Sequence, residues 1–178
     1  QLAQKLTSFF SGLFIIIFAW FLFPPTVMLV ISFFLEQTID TVEKQHYPNL
    51  PAPHEQSILK NFLYTMRFTA ISLSLNVLVI PIYIIFFFLG PLNLFVFYGL
   101  NGYLLGKEYF ELITNRRLKP QDGIYLYKAA KGRVFIAGVI ITFLMTIPII
   151  NLVAPVIATA AMVHLVQGWS KALDTINQ

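Results

Sequence analysis

Four asparagines, Asn76, Asn93, Asn101 and Asn151, stand inside long stretches that carry no charge. An amide brings two donors and an acceptor oxygen, and in apolar surroundings these need partners. Inside a bilayer, such a group either bonds a neighbouring helix turn or lines a polar path. Asn93 and Asn151 sit at or beside proline-marked breaks, and Asn101 follows a few turns later. Farther along, Arg116 and Arg117 stand near Lys107 and Lys119 and carry positive charge that attracts anions. Together, Asn151, Asn93, Asn101, Arg116 and Arg117 are the residues that can do chemistry here. That chemistry is non-covalent: a polar contact at membrane depth from the amides and attraction of an anion by the arginines. The plainer reading of the same residues is helix capping, membrane topology and contact with anionic lipid.

Covalent chemistry has no foothold. The chain contains no cysteine, so disulfides, thiol nucleophiles and Cys-based metal sites are excluded. His46, His54 and His164 are isolated in sequence, and His54-Glu55 lacks the second histidine of a zinc-binding helix motif. There is no nucleophile elbow, no phosphate-cradling glycine loop and no carboxylate pair at catalytic spacing. No catalytic residue, metal ligand or cofactor is expected, and the chain does not read as an enzyme. Nucleic acid is not an expected partner either, since no recognition motif accompanies the basic charge.

The elements that hold these residues follow from hydropathy. Of the 178 residues, 57% are hydrophobic and 11% charged, against about 25% charged in soluble domains. No charge occurs from Leu6 to Leu35, from Phe68 to Gly106, or from Val134 to Ser170. Uncharged apolar stretches of ~18 residues or more are read as membrane-spanning. The fold class is therefore all-α integral membrane, as a single domain over residues 1–178. The chain opens on Gln1, so a segment before it is expected to be missing.

Pro24-Pro25 divides the first run. The pattern predicts a spanning helix over about 6–23, a kink, and an amphipathic helix over about 25–46 able to lie at the membrane surface. On the second helix Ile31, Phe34, Leu35, Ile39 and Val42 form the apolar stripe, with Glu36, Asp40, Glu43 and Lys44 off it. Tyr47 to Pro53 holds three prolines and reads as an extended loop. Two proline-broken hairpins follow, at about 57–115 and 134–172, with breaks from Ile80-Pro81 to Gly90-Pro91 and from Ile147-Pro148 to Pro155. Counted to the first proline, Phe68–Ile80 rises only ~20 Å. That is less than the ~30 Å hydrocarbon core, so hairpins that enter from one face and return to it are expected, with full-length crossings as the alternative.

Between the hairpins, residues 107–133 hold seven Lys/Arg against three acids. The positive-inside rule places this segment in the cytoplasm. Tyr103, Tyr109, Tyr125, Tyr127, Trp20 and Trp169 suit an interfacial aromatic belt. Gly99, Gly102 and Gly106 make one smooth helix face. Ala154 and Ala158, with Ala161, make another, and small residues let helices approach closely. Two short hairpins and one spanning helix do not enclose a pore, so a homo-oligomer or other membrane subunits are expected partners beside the lipid bilayer.

Several stretches resemble a known family. Ile147-Pro-Ile-Ile-Asn-Leu-Val-Ala-Pro155, continuing to Met162, is similar to the second hairpin of the CysZ/etoposide-induced-protein family of membrane proteins. Asn101-Gly-Tyr-Leu-Leu-Gly-Lys-Glu-Tyr-Phe-Glu111 resembles the stretch after the first hairpin in bacterial members. Trp20-Phe-Leu-Phe-Pro-Pro25 and Val42-Glu-Lys-Gln-His-Tyr-Pro48 are similar too. The resemblance implies long spanning helices with two half-penetrating hairpins, an earlier spanning helix before Gln1 and, for some members, sulfate uptake in the inner membrane. The Gly-x-Arg-Arg element of sulfate-handling members is absent, and Arg116-Arg117 does not match it in position. Two functions stay open: a permease for sulfate or another small anion, and a non-transporting scaffold or accessory subunit of a membrane complex.

Overall fold

A computed structural model describes residues 2–50, 53, 58–87 and 90–176. Among them every regular element is helical: α1 Leu2–His46, α2 Ile58–Phe87, α3 Leu92–Arg117, α4 Pro120–Thr146, α5 Pro148–Asn151 and α6 Ala154–Ile176. The start of the first hairpin, expected at about residue 57, lies outside the described residues, as do Pro51 and the hairpin residues 88 and 89. The side chains of Trp20, Pro24 and Pro25 are not described either.

Two expected breaks do not occur. α1 runs unbroken through Pro24-Pro25, as one helix in place of two. α2 likewise continues through Pro81. One interior proline removes one backbone bond and strains the turn before it. Ending the helix there would orphan a whole turn of carbonyls, and in apolar surroundings that costs more. The apolar part of α2 consequently runs Met66–Phe86, 21 residues. At 1.5 Å per residue this is about 32 Å, enough to cross the hydrocarbon core. The short-arm estimate is therefore overturned for α2.

The actual turns fall where backbone chemistry demands them. Gly90 closes the first hairpin with φ +56°, a left-handed conformation that glycine adopts without strain. Its carbonyl accepts the Asn93 backbone N–H at 3.2 Å. In the second hairpin, Ile147 precedes a proline and is extended, at φ −90° and ψ 113°, as the proline ring requires of its predecessor. The single turn α5 follows, closed by the Asn151 N–H donating to the Ile147 carbonyl at 2.8 Å. Pro155 sits in the first turn of α6, where its missing N–H has no intrahelical role.

The core lies where α3, α4 and α6 meet the end of α1. On α4 it takes Leu126, Ala130, Val134, Ala137 and Ile141, one per turn. Ala158, Met162, Val163 and Val166 of α6 and Phe110 and Ile113 of α3 complete it, with Ile39 from α1. Tyr109 and Trp169 belong to this core as well. Neither is part of an aromatic belt: Trp169 stacks on Phe110 at 6.5 Å between centroids. By contrast, the apolar window of α2 is 0% buried, and Phe14, Ile15 and Ile16 of α1 are exposed. A core helix of a soluble protein would be covered; bare apolar helices of spanning length belong to an all-α membrane protein.

Candidate functional site

The most strongly charged contact joins α1 to the end of α3. Asp40 and Glu43 stand one turn apart on α1, and Arg116 and Arg117 end α3. The Arg117 guanidinium holds Glu43 with two bonds, Nε to Oε1 at 3.0 Å and Nη2 to Oε2 at 2.5 Å. Arg116 Nη2 donates to Asp40 Oδ1, and its Nε lies 3.6 Å from Glu43 Oε2. Glu43 is 2% exposed. A carboxylate can be desolvated this far because a forked guanidinium supplies paired donors. The sequence pattern put Glu43 on the polar side of its helix; the structure buries it beside Ile39. Arg116 and Arg117, expected to attract an anion, are charge-compensated by these two acids.

The remaining basic residues are distributed more loosely. Lys107 lies 3.8 Å from Glu111, one turn on, and over the Phe68 ring at 5.9 Å. Desolvation by the surrounding chain, followed by the Glu111 carboxylate, raises the carboxyl of Glu108 above its ordinary range. Lys119, Lys128 and Lys131 are exposed, and Arg133 caps the Trp169 ring at 5.8 Å.

The four amides take different positions. Asn76 and Asn101 each bond back along their own helix, from Nδ2 to the Ser72 carbonyl at 2.8 Å and to the Phe97 carbonyl at 2.9 Å. Asn93 stands in the first turn of α3 with its Oδ1 buried and unpaired. Asn151 ends α5 and is exposed. α5 packs on α4 and α6, while the turn before Asn93 joins α2 to α3.

Between α3 and α4 the backbones touch. A Cβ on Gly102 would come within 2.5 Å of Val139 Cγ2, and one on Gly106 would overlap the Val134 carbonyl. Gly138, which the sequence reading passed over, lies opposite both: a Cβ there would overlap the Gly102 carbonyl and come 2.6 Å from the Gly106 nitrogen. Gly99 has nothing within 4 Å of its Cβ position. Ala154 and Ala158 are buried, whereas Ala161 is exposed. The α3–α4 seam therefore has no room for a solute.

Two histidines isolated in sequence meet in space. His46 at the end of α1 and His164 in α6 lie 5.0 Å apart between ring centroids, and Tyr47 Oη is 2.8 Å from His164 Nδ1. His54 lies outside the described residues. No group of three His, Cys, Asp or Glu able to hold a metal occurs among the described residues.

Residues 2–155 match the family model described as Sulfate transporter CysZ/Etoposide-induced protein 2.4. No curated protein and no solved structure matches the chain.

Proposed function

Because this chain belongs to the Sulfate transporter CysZ/Etoposide-induced protein 2.4 family, we propose that it is an inner-membrane protein that passes a small inorganic anion, with sulfate the leading substrate. The family match over residues 2–155 carries this reading. The basic stretch from Lys107 to Arg133 then faces the cytoplasm, and the second hairpin enters the membrane without crossing it. From Val134 to Thr146 the uncharged part of α4 rises ~20 Å, although the whole helix Pro120–Thr146 is long and apolar enough to cross. The tip residues Asn93 and Asn151 line the path. Because the α3–α4 seam is closed, the path runs between copies of the chain, which makes a homo-oligomer part of the proposal.

A second reading is favoured by one observation. Arg116 and Arg117 are taken up by Asp40 and Glu43, which leaves the cytoplasmic mouth without the free guanidinium pair an anion path uses. The chain would then act as a membrane scaffold or accessory subunit. Sulfate uptake by proteoliposomes, beside an Asn151→Leu variant of equal insertion, separates the two. Saturable uptake that falls in the variant supports the permease. A well-folded oligomer that moves neither sulfate nor competing anions supports the scaffold.

A further inference from the structure

Asn76 sits at the midpoint of the uncovered spanning stretch of α2, ten residues from Met66 and ten from Phe86. A helix of this length places its midpoint near the centre of the hydrocarbon core. The side chain is exposed. One N–H of its amide donates to the Ser72 carbonyl at 2.8 Å. Its second N–H and its Oδ1 meet no partner among the described residues. Water would satisfy both. Lipid at this depth offers neither donor nor acceptor, so the amide keeps its desolvation penalty until another protein group reaches it.

The helix has two distinct faces. Phe68, Ile71, Leu75 and Val79 are half-covered. They lie on the side toward α3, where Lys107 sits over the Phe68 ring. Met66, Leu73 and Ile80 are exposed, as is Thr69. With Asn76 these residues advance along the chain by three, four, three and four positions. That spacing makes a straight seam for a second helix packed alongside. It lies roughly a third of a turn away from the α3 side, at about 100° per residue. Asn76 is the one amide in it.

The amide also specifies what fits the seam. It carries both donors and an acceptor, so it is its own complement, and two of them can exchange two hydrogen bonds. A two-fold axis brings the same residue from both sides. Two copies inserted in the same direction have parallel α2 helices, and their Asn76 residues then stand at one depth. Any other partner would have to bring a matching polar group to the membrane centre. One asparagine in an apolar seam also fixes the register of the two helices.

We propose that this face of α2 is a homodimer interface, in which Asn76 bonds its counterpart in a second copy at the membrane centre. The interface rests on the homo-oligomer of the proposed function and does not depend on transport.

The test uses the complete protein in lipid bilayers, with the dimer fraction followed by single-molecule photobleaching as protein is diluted into lipid. Asn76→Leu should weaken the dimer about tenfold, the order expected for interhelical amide bonds in lipid. Asn76→Gln, which keeps an amide, should weaken it less. Leu78→Ala, exposed on the opposite side of α2, should leave it unchanged. Because the chain has no cysteine, Leu73→Cys should give a disulfide-linked dimer on mild oxidation, and Leu78→Cys should not. A dimer that survives Asn76→Leu undiminished, or that links through Leu78→Cys as readily as through Leu73→Cys, overturns this interface while the oligomer itself stands. A complete protein that stays monomeric at every dilution overturns the interface and the homo-oligomer together.

Discussion

Glu43 of α1 and Arg117 of α3 are locked by two parallel hydrogen bonds at a position from which water is almost wholly excluded. Sequence distance between them is 74 residues. The pair ties the long helix α1 to the bundle built from the hairpins. It also turns a double arginine that reads as an anion lure into a structural fastening.

Breaking this pair on one side should be costly. Glu43→Gln leaves the Arg117 guanidinium without its counter-charge, and a loss of about 3–5 kcal/mol is expected for a buried pair. Asp40→Asn, at a more exposed site, should cost less than about 1 kcal/mol. Thermal unfolding of the detergent-solubilised protein, with Arg117→Met and the double variant Glu43→Gln/Arg117→Met, completes a cycle. A double variant as unstable as the sum of the singles would show that the two groups do not act on each other.

The α3–α4 seam makes a sharper forecast. Gly138→Ala places a methyl against the Gly102 carbonyl and the Gly106 backbone, so the helices must separate. Destabilisation of 1–3 kcal/mol or more is expected from such overpacking. Gly99→Ala meets nothing within 4 Å and should be neutral or slightly stabilising, since alanine is the better helix former. Comparable yield and melting temperature for both variants would contradict the close approach.

Asn93 is a test of the path. Its Oδ1 is buried and unpaired, so replacing the amide with leucine removes an unsatisfied acceptor at little cost to stability. Asn93→Leu should therefore melt at or above the parent temperature. If Asn93 lines a substrate path, uptake falls in the same variant. A stable Asn93→Leu protein with parental uptake would remove this residue from the path.

A pH dependence follows from Glu108. Its carboxyl is raised above the ordinary value of 4.5, so the folded chain binds that proton more tightly than the unfolded chain does. The contribution to stability is then fully present below the ordinary value and is lost as pH rises through the folded one. Glu108→Gln should melt higher than the parent at pH 8, with the gap closing toward pH 4. A gap that widens on acidification would reverse the sign and rule out desolvation as its cause.

Depth of the second hairpin is open to chemical labelling, helped by a chain without cysteine. In intact cells, Asn151→Cys should resist a membrane-impermeant thiol reagent applied from outside and react once detergent is added. Ready labelling from outside would mean that the hairpin crosses completely.

Much of this architecture was legible in the residues alone. Uncharged runs of thirty or more residues leave no alternative to the membrane, and Gly90 and Ile147-Pro148 mark turns because only certain backbones tolerate those conformations. The small-residue face at Gly102 and Gly106 was visible for the same reason: a missing side chain is a property of one residue. Local rules failed where the outcome depended on what else was available. Proline lowers helix stability, yet whether a helix ends at Pro25 or Pro81 depends on what surrounds the backbone it would release, and an apolar environment keeps the helix whole. Partners were not legible at all. That Gly138 faces Gly102, that Glu43 is buried against Arg117, and that His46 meets His164 over Tyr47 are consequences of how α1, α3, α4 and α6 pack. Sequence by itself determined that this is an all-helical membrane protein and where its hairpins turn, because hydropathy and backbone freedom are local. Only the tertiary structure decided which charges cancel and which side chains meet, because electrostatic pairing depends on distance in space between residues that the chain keeps far apart.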